Sequence, residues 1–145
     1  IGRILSTRYL ESIREREGGS YGVGCAGWMN RYPVPYAQLI MQFDTDPEKQ
    51  EKLMSIIHEE VNTIVENGPL AKDLQKEKES MLKDFEEDLE KNGYWTELLS
   101  VYYKNGINYV TDYKAAVESI TAETVQATLK KLVDAGNVFE VVMLP

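Results

Sequence analysis

The 145-residue chain has one cysteine, Cys25, and one histidine, His58. A lone cysteine excludes an internal disulfide and a thiolate metal cluster. A zinc site needs about three or four ligands from histidine, cysteine and carboxylates. His58, in "IIHEEV", has no second histidine one helical turn away, so the zinc-protease helix signature is missing. Its place beside Ile57 reads as a structural or solvent-facing helix position. Cys25, with no base near it in sequence, reads as a small apolar strand residue rather than a nucleophile. Basic stripes are also lacking: the formal net charge is −8 and the pI is near 4.7. That balance excludes a nucleic-acid surface. No apolar run approaches the roughly 20 residues needed to span a bilayer. No basic-then-apolar opening marks a signal peptide. The compartment stays open, with bacterial periplasm and cytoplasm both possible.

What is present is an ordinary folding composition, 43% hydrophobic and 28% charged, over a length suited to a single domain, residues 1–145. Leu5, Tyr9 and Ile13, flanked by Leu10, predict a helix over 3–16, ended by Gly18 and Gly19. "SYGVGCAGWMN" alternates, placing Tyr21, Val23, Cys25 and Met29 on one side. After the stiff turn "RYPVP" comes "YAQLIMQFDTD", and the pair predicts an antiparallel hairpin. In "TDPEKQEKL", Asp46 is a natural N-cap, Pro47 suits the first helical position and Glu48 suits the dipole. The helix that follows carries Leu53, Ile57, Val61, Ile64 and Val65 on one stripe and closes at "NGP", 67–69. A second long helix from about Leu70 carries Leu74, Met81, Leu82, Phe85 and Leu89 and should stop at Asn92-Gly93. "YWTELLSVYYKNG" is a shorter helix with Trp95, Leu98, Leu99 and Tyr102. "ITAETVQATLKKLVDAG" predicts another, capped by Thr121, with Val125, Leu129, Leu132 and Val133 inward. "NVFEVVMLP" reads as a final buried strand.

Strands and helices are grouped rather than alternating. The expected class is therefore α+β, an antiparallel sheet with helices packed on one face. Three strands are few for that helical cover, so the sheet is expected to lack its first strand or strands, and the chain to be a fragment of a larger one. The carboxylate runs at 75–80 and 84–91 read as solvated helix faces with interspersed lysines. Most aromatics follow helical or strand periodicity and read as core or interface.

One stretch resists this account. "SIREREGGSYGVG" offers Arg14 at a helix end and Tyr21 at a strand start, seven residues apart across a glycine turn. Taken singly, each has a plain explanation: a cation suits a helix C-terminus, and tyrosine suits a strand. Together, "LSTRYLESIREREGGSYGVGCAGW" resembles the non-zinc homology domain of the pitrilysin/insulysin family of zinc metallopeptidases. There, a helix ending in a leucine- or isoleucine-arginine-glutamate run is followed by a glycine turn and a tyrosine seven residues after the arginine. The resemblance continues through "YAQLIMQFDTDPEKQEKLMSIIHEEVNTIVENGPLAKDLQKEKESML" and the later "ITAETVQATLKKLV".

The resemblance implies the C-terminal part of an endopeptidase whose paired halves enclose a peptide in a chamber. It implies zinc bound by an N-terminal domain, in the same or a partner chain, and none bound here. It further implies that Arg14 binds the substrate backbone, and that the Tyr21 hydroxyl donates to the carbonyl oxygen that becomes negative during attack. This piece alone would be inactive. Two alternatives stand beside it: a scaffold member of the fold without catalysis, and an unrelated peptide-binding module.

Overall fold

The computed structural model describes residues 1–20 and 22–143. The chain divides into two compact units, one made of Ile1–Leu70 with the residues from Ala122 onward, the other of Ala71–Thr121.

The first unit opens with helix α1, Gly2–Tyr9, which passes without a break into a π-helical segment, Leu10–Arg16. The change of helix type follows from the spacing of the buried side chains. Leu5, Tyr9 and Ile13 are all fully buried and recur every four residues. Four residues overshoot one α-helical turn by about 40°. A π turn is wider, closing i to i+5, so the same step falls short of a turn. Passing from one to the other cancels the drift and keeps all three side chains over the core. The helix ends at Gly18, whose φ of +55° is costly for any side chain with a Cβ. The Gly19 amide then donates to the Ile13 carbonyl at 3.0 Å.

Strands β1, Val23–Asn30, and β2, Tyr36–Phe43, form the expected antiparallel hairpin, with Val23 opposite Phe43 and Asn30 opposite Tyr36. Helix α1 lies on β1. The Ser6 hydroxyl donates to the Cys25 carbonyl and accepts from the Cys25 amide, both at 2.8 Å. Gly2 permits that approach, since a Cβ there would stand 3.0 Å from the Gly27 amide nitrogen. Cys25 is half-buried under this helix, and burial pushes its thiol up to about 11. At neutral pH it is a protonated packing residue, as its sequence position predicts. Met29, near the end of β1, is 78% exposed, contrary to its predicted inward side.

Asp46 does open the next helical stretch, though its side chain makes no capping hydrogen bond. A 3₁₀ turn, Pro47–Lys49, comes first, and Asp46 instead pairs with Lys49 at 3.6 Å. Helix α2, Gln50–Asn67, buries Leu53, Ile57, Val61 and Ile64 and closes at Gly68 with φ +77°. Helix α6, Ala122–Asp134, packs against it through Val125 and Leu129. Gln126 fastens the pair by donating to the carbonyls of Val65 and Glu66, at 2.9 and 3.0 Å.

Beyond α6 the expected terminal strand is absent from the described residues. Residues 137–143 pair with neither β1 nor β2, and Val138, Phe139, Val141, Val142 and Met143 are exposed. The apolar pattern of a strand is there, but a strand exists only where a neighbouring backbone answers its amides and carbonyls. Leu144 and Pro145 lie outside the described residues.

The second unit holds α3, Ala71–Asp88, α4, Asn92–Asn105, and a short helix that the sequence did not announce, α5, Tyr113–Glu118. Phe85 is buried, with Tyr113 stacked on it at 4.2 Å between ring centroids and Tyr94 edge-on at 6.5 Å. Lys78 donates to the carbonyls of Glu118 and Ile120, at 2.7 and 3.0 Å, closing the end of α5. The predicted stop at Asn92-Gly93 is displaced: α3 ends at Asp88, and Asn92 and Gly93 form the first turn of α4. Lys91 takes an extended conformation as the N-cap, so the break falls between the two helices just before the asparagine-glycine pair. The aromatics of α4 are less buried than their periodicity predicts. Trp95 and Tyr102, with Tyr109 from the turn beyond α4, are half-exposed around an apolar cleft of about 320 Å³ that also takes in Leu98, Ile107 and Val110.

Candidate functional site

The sequence directs attention to the turn that joins the π-helical segment to β1. Arg14 lies in the last turn of that segment and is exposed. Among the described residues it makes no hydrogen bond or ion pair. Its neighbours in sequence are engaged. Arg16 reaches the Glu60 carboxylate, Nη2 to Oε1 at 3.4 Å, and Glu17 pairs with Lys52. Arg14 is thus the cation of this helix end that is left facing outward.

The turn itself is anchored from three sides. A Cβ on Gly19 would meet the Leu53 methyl carbons at 2.8 and 2.9 Å, so glycine lets the chain lie directly on α2. Thr45, just after β2, donates its hydroxyl to the Gly19 carbonyl at 2.6 Å. Ser20 is buried, and its hydroxyl donates to the Gly22 carbonyl at 2.9 Å. Tyr21 lies outside the described residues, between these two.

Sequence reasoning missed the residue that organises this region. Glu60 is only 6% exposed, and each of its oxygens accepts from a different arginine: Oε2 from Arg8 Nε at 2.9 Å, Oε1 from Arg16. A buried carboxylate is stable only when paired in this way. Ser12, between the two arginines on the same flank, donates its hydroxyl back to the Arg8 carbonyl at 2.8 Å. These groups line a polar hollow of about 240 Å³ with Glu17, Glu59 and Thr63. The signal was present. Glu60 stands seven residues after Leu53 and four before Ile64, in phase with the buried stripe, and Arg8, Ser12 and Arg16 recur every four residues. Tyr9, beside them, donates its hydroxyl to the Ile57 carbonyl at 3.4 Å. Its ionisation is pushed well above the ordinary tyrosine range, by burial first and then by Cys25 and Glu60.

His58 is half-exposed on α2, with Nε2 2.6 Å from the Glu140 carboxylate. Among the described residues no group of three or more histidine, cysteine or acidic side chains is placed to hold a metal ion. Among the described residues the donor set therefore does not fit a zinc ion. No described helix is long and apolar enough to cross a membrane.

No family model matches the chain. Among solved structures, a peptidase M16 inactive domain from Pseudomonas fluorescens superposes with a TM-score of 0.75 at 20% identity, over 90% of this chain and 32% of that one. The fold is therefore that of this M16 inactive domain. The periplasmic protease PqqL of Escherichia coli gives a TM-score of 0.69 at 16% identity, over 88% of this chain and 14% of its own. In sequence, a zinc protease PQQL-like protein of Arabidopsis thaliana is 22% identical over 148 residues, 91% of this chain and 15% of that protein. The chain spans about a seventh of the length of these two proteases. The α+β class and the pitrilysin-like likeness read from the sequence hold in both comparisons.

Proposed function

We propose that this domain handles substrate for a zinc-dependent endopeptidase, with the zinc ion carried by an N-terminal domain of the same or a partner chain. The observation that carries the reading is Arg14: exposed, unpaired among the described residues, and held at an anchored turn of an M16 fold. An arginine presents five donors in a fixed fork and stays charged, which suits it to clamp the carbonyls of an extended peptide. Tyr21, seven residues on, supplies a hydroxyl for the carbonyl oxygen that gains charge during attack. Metal chemistry belongs to the other domain, and this chain contributes binding and orientation. The zinc protease named in Arabidopsis and the periplasmic protease of Escherichia coli support the reaction class.

A second reading is favoured by the Pseudomonas neighbour, which is described as an inactive domain. On that reading the domain is a non-catalytic partner or scaffold. Kinetics of the full-length protein separate the two. A mixed pool of internally quenched peptides should be cleaved in the presence of zinc, and cleavage should stop with a chelator and return on adding zinc. Arg14→Ala should raise KM by about tenfold or more, the worth of one hydrogen bond from a charged donor. Wild-type protein that cleaves nothing would favour the scaffold; an unchanged KM would remove Arg14 from the substrate site.

A further inference from the structure

Arg14 can act on a substrate only if the helix end that carries it is fixed in rotation. A π-helical segment is a rare conformation, frequent at functional sites. Here the support is asymmetric. The apolar side is held by Tyr9 and Ile13 in the core. On the polar flank, Arg8 enters from the last turn of α1 and Arg16 from the last turn of the π-helical segment, and both converge on Glu60 of α2. One arginine therefore grips each end of the segment, and a single buried carboxylate holds both. Glu17 and Lys52 add a second tie to α2 beyond Arg16. Arg14 lies between the two gripped ends, exposed and, among the described residues, without a hydrogen bond or ion pair.

We propose that Glu60 is the positioning residue for Arg14: by accepting from Arg8 at one oxygen and Arg16 at the other, it locks the rotation of the π-helical segment and so the direction in which Arg14 is offered. Glutamine at this position keeps the shape and one acceptor oxygen. It loses the charge and presents an amide, which cannot accept, to the second arginine. The segment is then free to relax towards α-helix, turning Arg14 away from its outward direction. This proposal rests on the reading of Arg14 as a substrate contact.

The test is a double-mutant cycle in the zinc-loaded full-length protein, read as kcat and KM on the same quenched-peptide pool. Arg14→Ala and Glu60→Gln are each expected to raise KM by about ten- to a hundredfold, the scale set by small misplacements of binding groups, with little change in kcat. Together they should do no more than Arg14→Ala alone, because Glu60 acts only through Arg14. Additive effects would show that Glu60 supports the fold generally and would overturn the positioning role. So would normal kinetics for Glu60→Gln beside an impaired Arg14→Ala, a result that leaves the functional reading of Arg14 intact. Normal kinetics for Arg14→Ala would overturn both. Should Glu60→Gln fail to fold, Arg16→Gln replaces it, since the Arg16 side chain is 65% exposed, Arg8 still pairs with Glu60, and the glutamine amide can still donate to the second oxygen without the charge. A smaller rise in KM that vanishes in the Arg14→Ala background is expected there, and no rise would overturn the proposal.

Discussion

Replacing Tyr21 with phenylalanine in the full-length protein is expected to lower kcat on peptides by about a hundred- to a thousandfold and to leave KM nearly unchanged. The size follows from the role proposed for the hydroxyl. A donor aimed at an oxygen that gains charge during the reaction strengthens as the barrier is climbed, and losing one costs about 3 to 4 kcal/mol in the transition state. The effect falls on kcat because the neutral carbonyl of the bound peptide gains little from the same donor. The substitution removes one oxygen and none of the described anchors around it: the Ser20 hydroxyl to Gly22, the Thr45 hydroxyl to Gly19, or the contact of Gly19 with Leu53. Circular dichroism of the variant should therefore match wild type. Unchanged turnover would reduce Tyr21 to a strand residue.

The second large effect is on stability. Leu53→Ala should destabilise the domain by about 2 to 5 kcal/mol, read as a lower urea midpoint. Leu53 is 1% exposed, so its truncation leaves a cavity in the core of the first unit. The same side chain roofs Gly19. An alanine there would push against both Leu53 methyl carbons, which would have to shift within a buried site. Gly19→Ala alone should cost about 1 to 3 kcal/mol, as overpacking does. The two changes should then be less than additive, because the truncated Leu53 makes room for the new methyl. Strictly additive losses would mean that the turn does not rest on Leu53. The pair also ties the core to the turn after Arg14, since Leu53 fills the one and supports the other.

Much of the fold could be read from periodicity. The Leu5, Tyr9 and Ile13 spacing located the first helix, and it also held the clue to the π-helical segment, since an exact four-residue repeat suits a turn wider than the α-helix. The hairpin was legible from two β-prone runs about a stiff turn, and α2 and α6 because each buries one stripe. The short helix α5 was not, because six residues offer too little periodicity to see. The strand expected at 137–143 failed for another reason: β-propensity is a property of residues, whereas a strand is a property of a pair. Arg14 was found through a resemblance and not through chemistry, since an exposed arginine at a helix end has an ordinary electrostatic explanation. Glu60 escaped because a charged residue within an apolar stripe looks like an interruption until the partners that neutralise it, 44 and 52 residues away in sequence, are brought beside it.

The account turns on whether Arg14 meets a peptide. The most direct measurement is a structure of the zinc-depleted full-length protein with an uncleaved peptide trapped inside. The account predicts the Arg14 guanidinium within about 3 Å of a peptide carbonyl oxygen, an ordinary hydrogen-bond distance, with the Arg8 and Arg16 pairing to Glu60 intact behind it. A bound peptide that passes this domain without touching Arg14 or the turn after it would contradict the account.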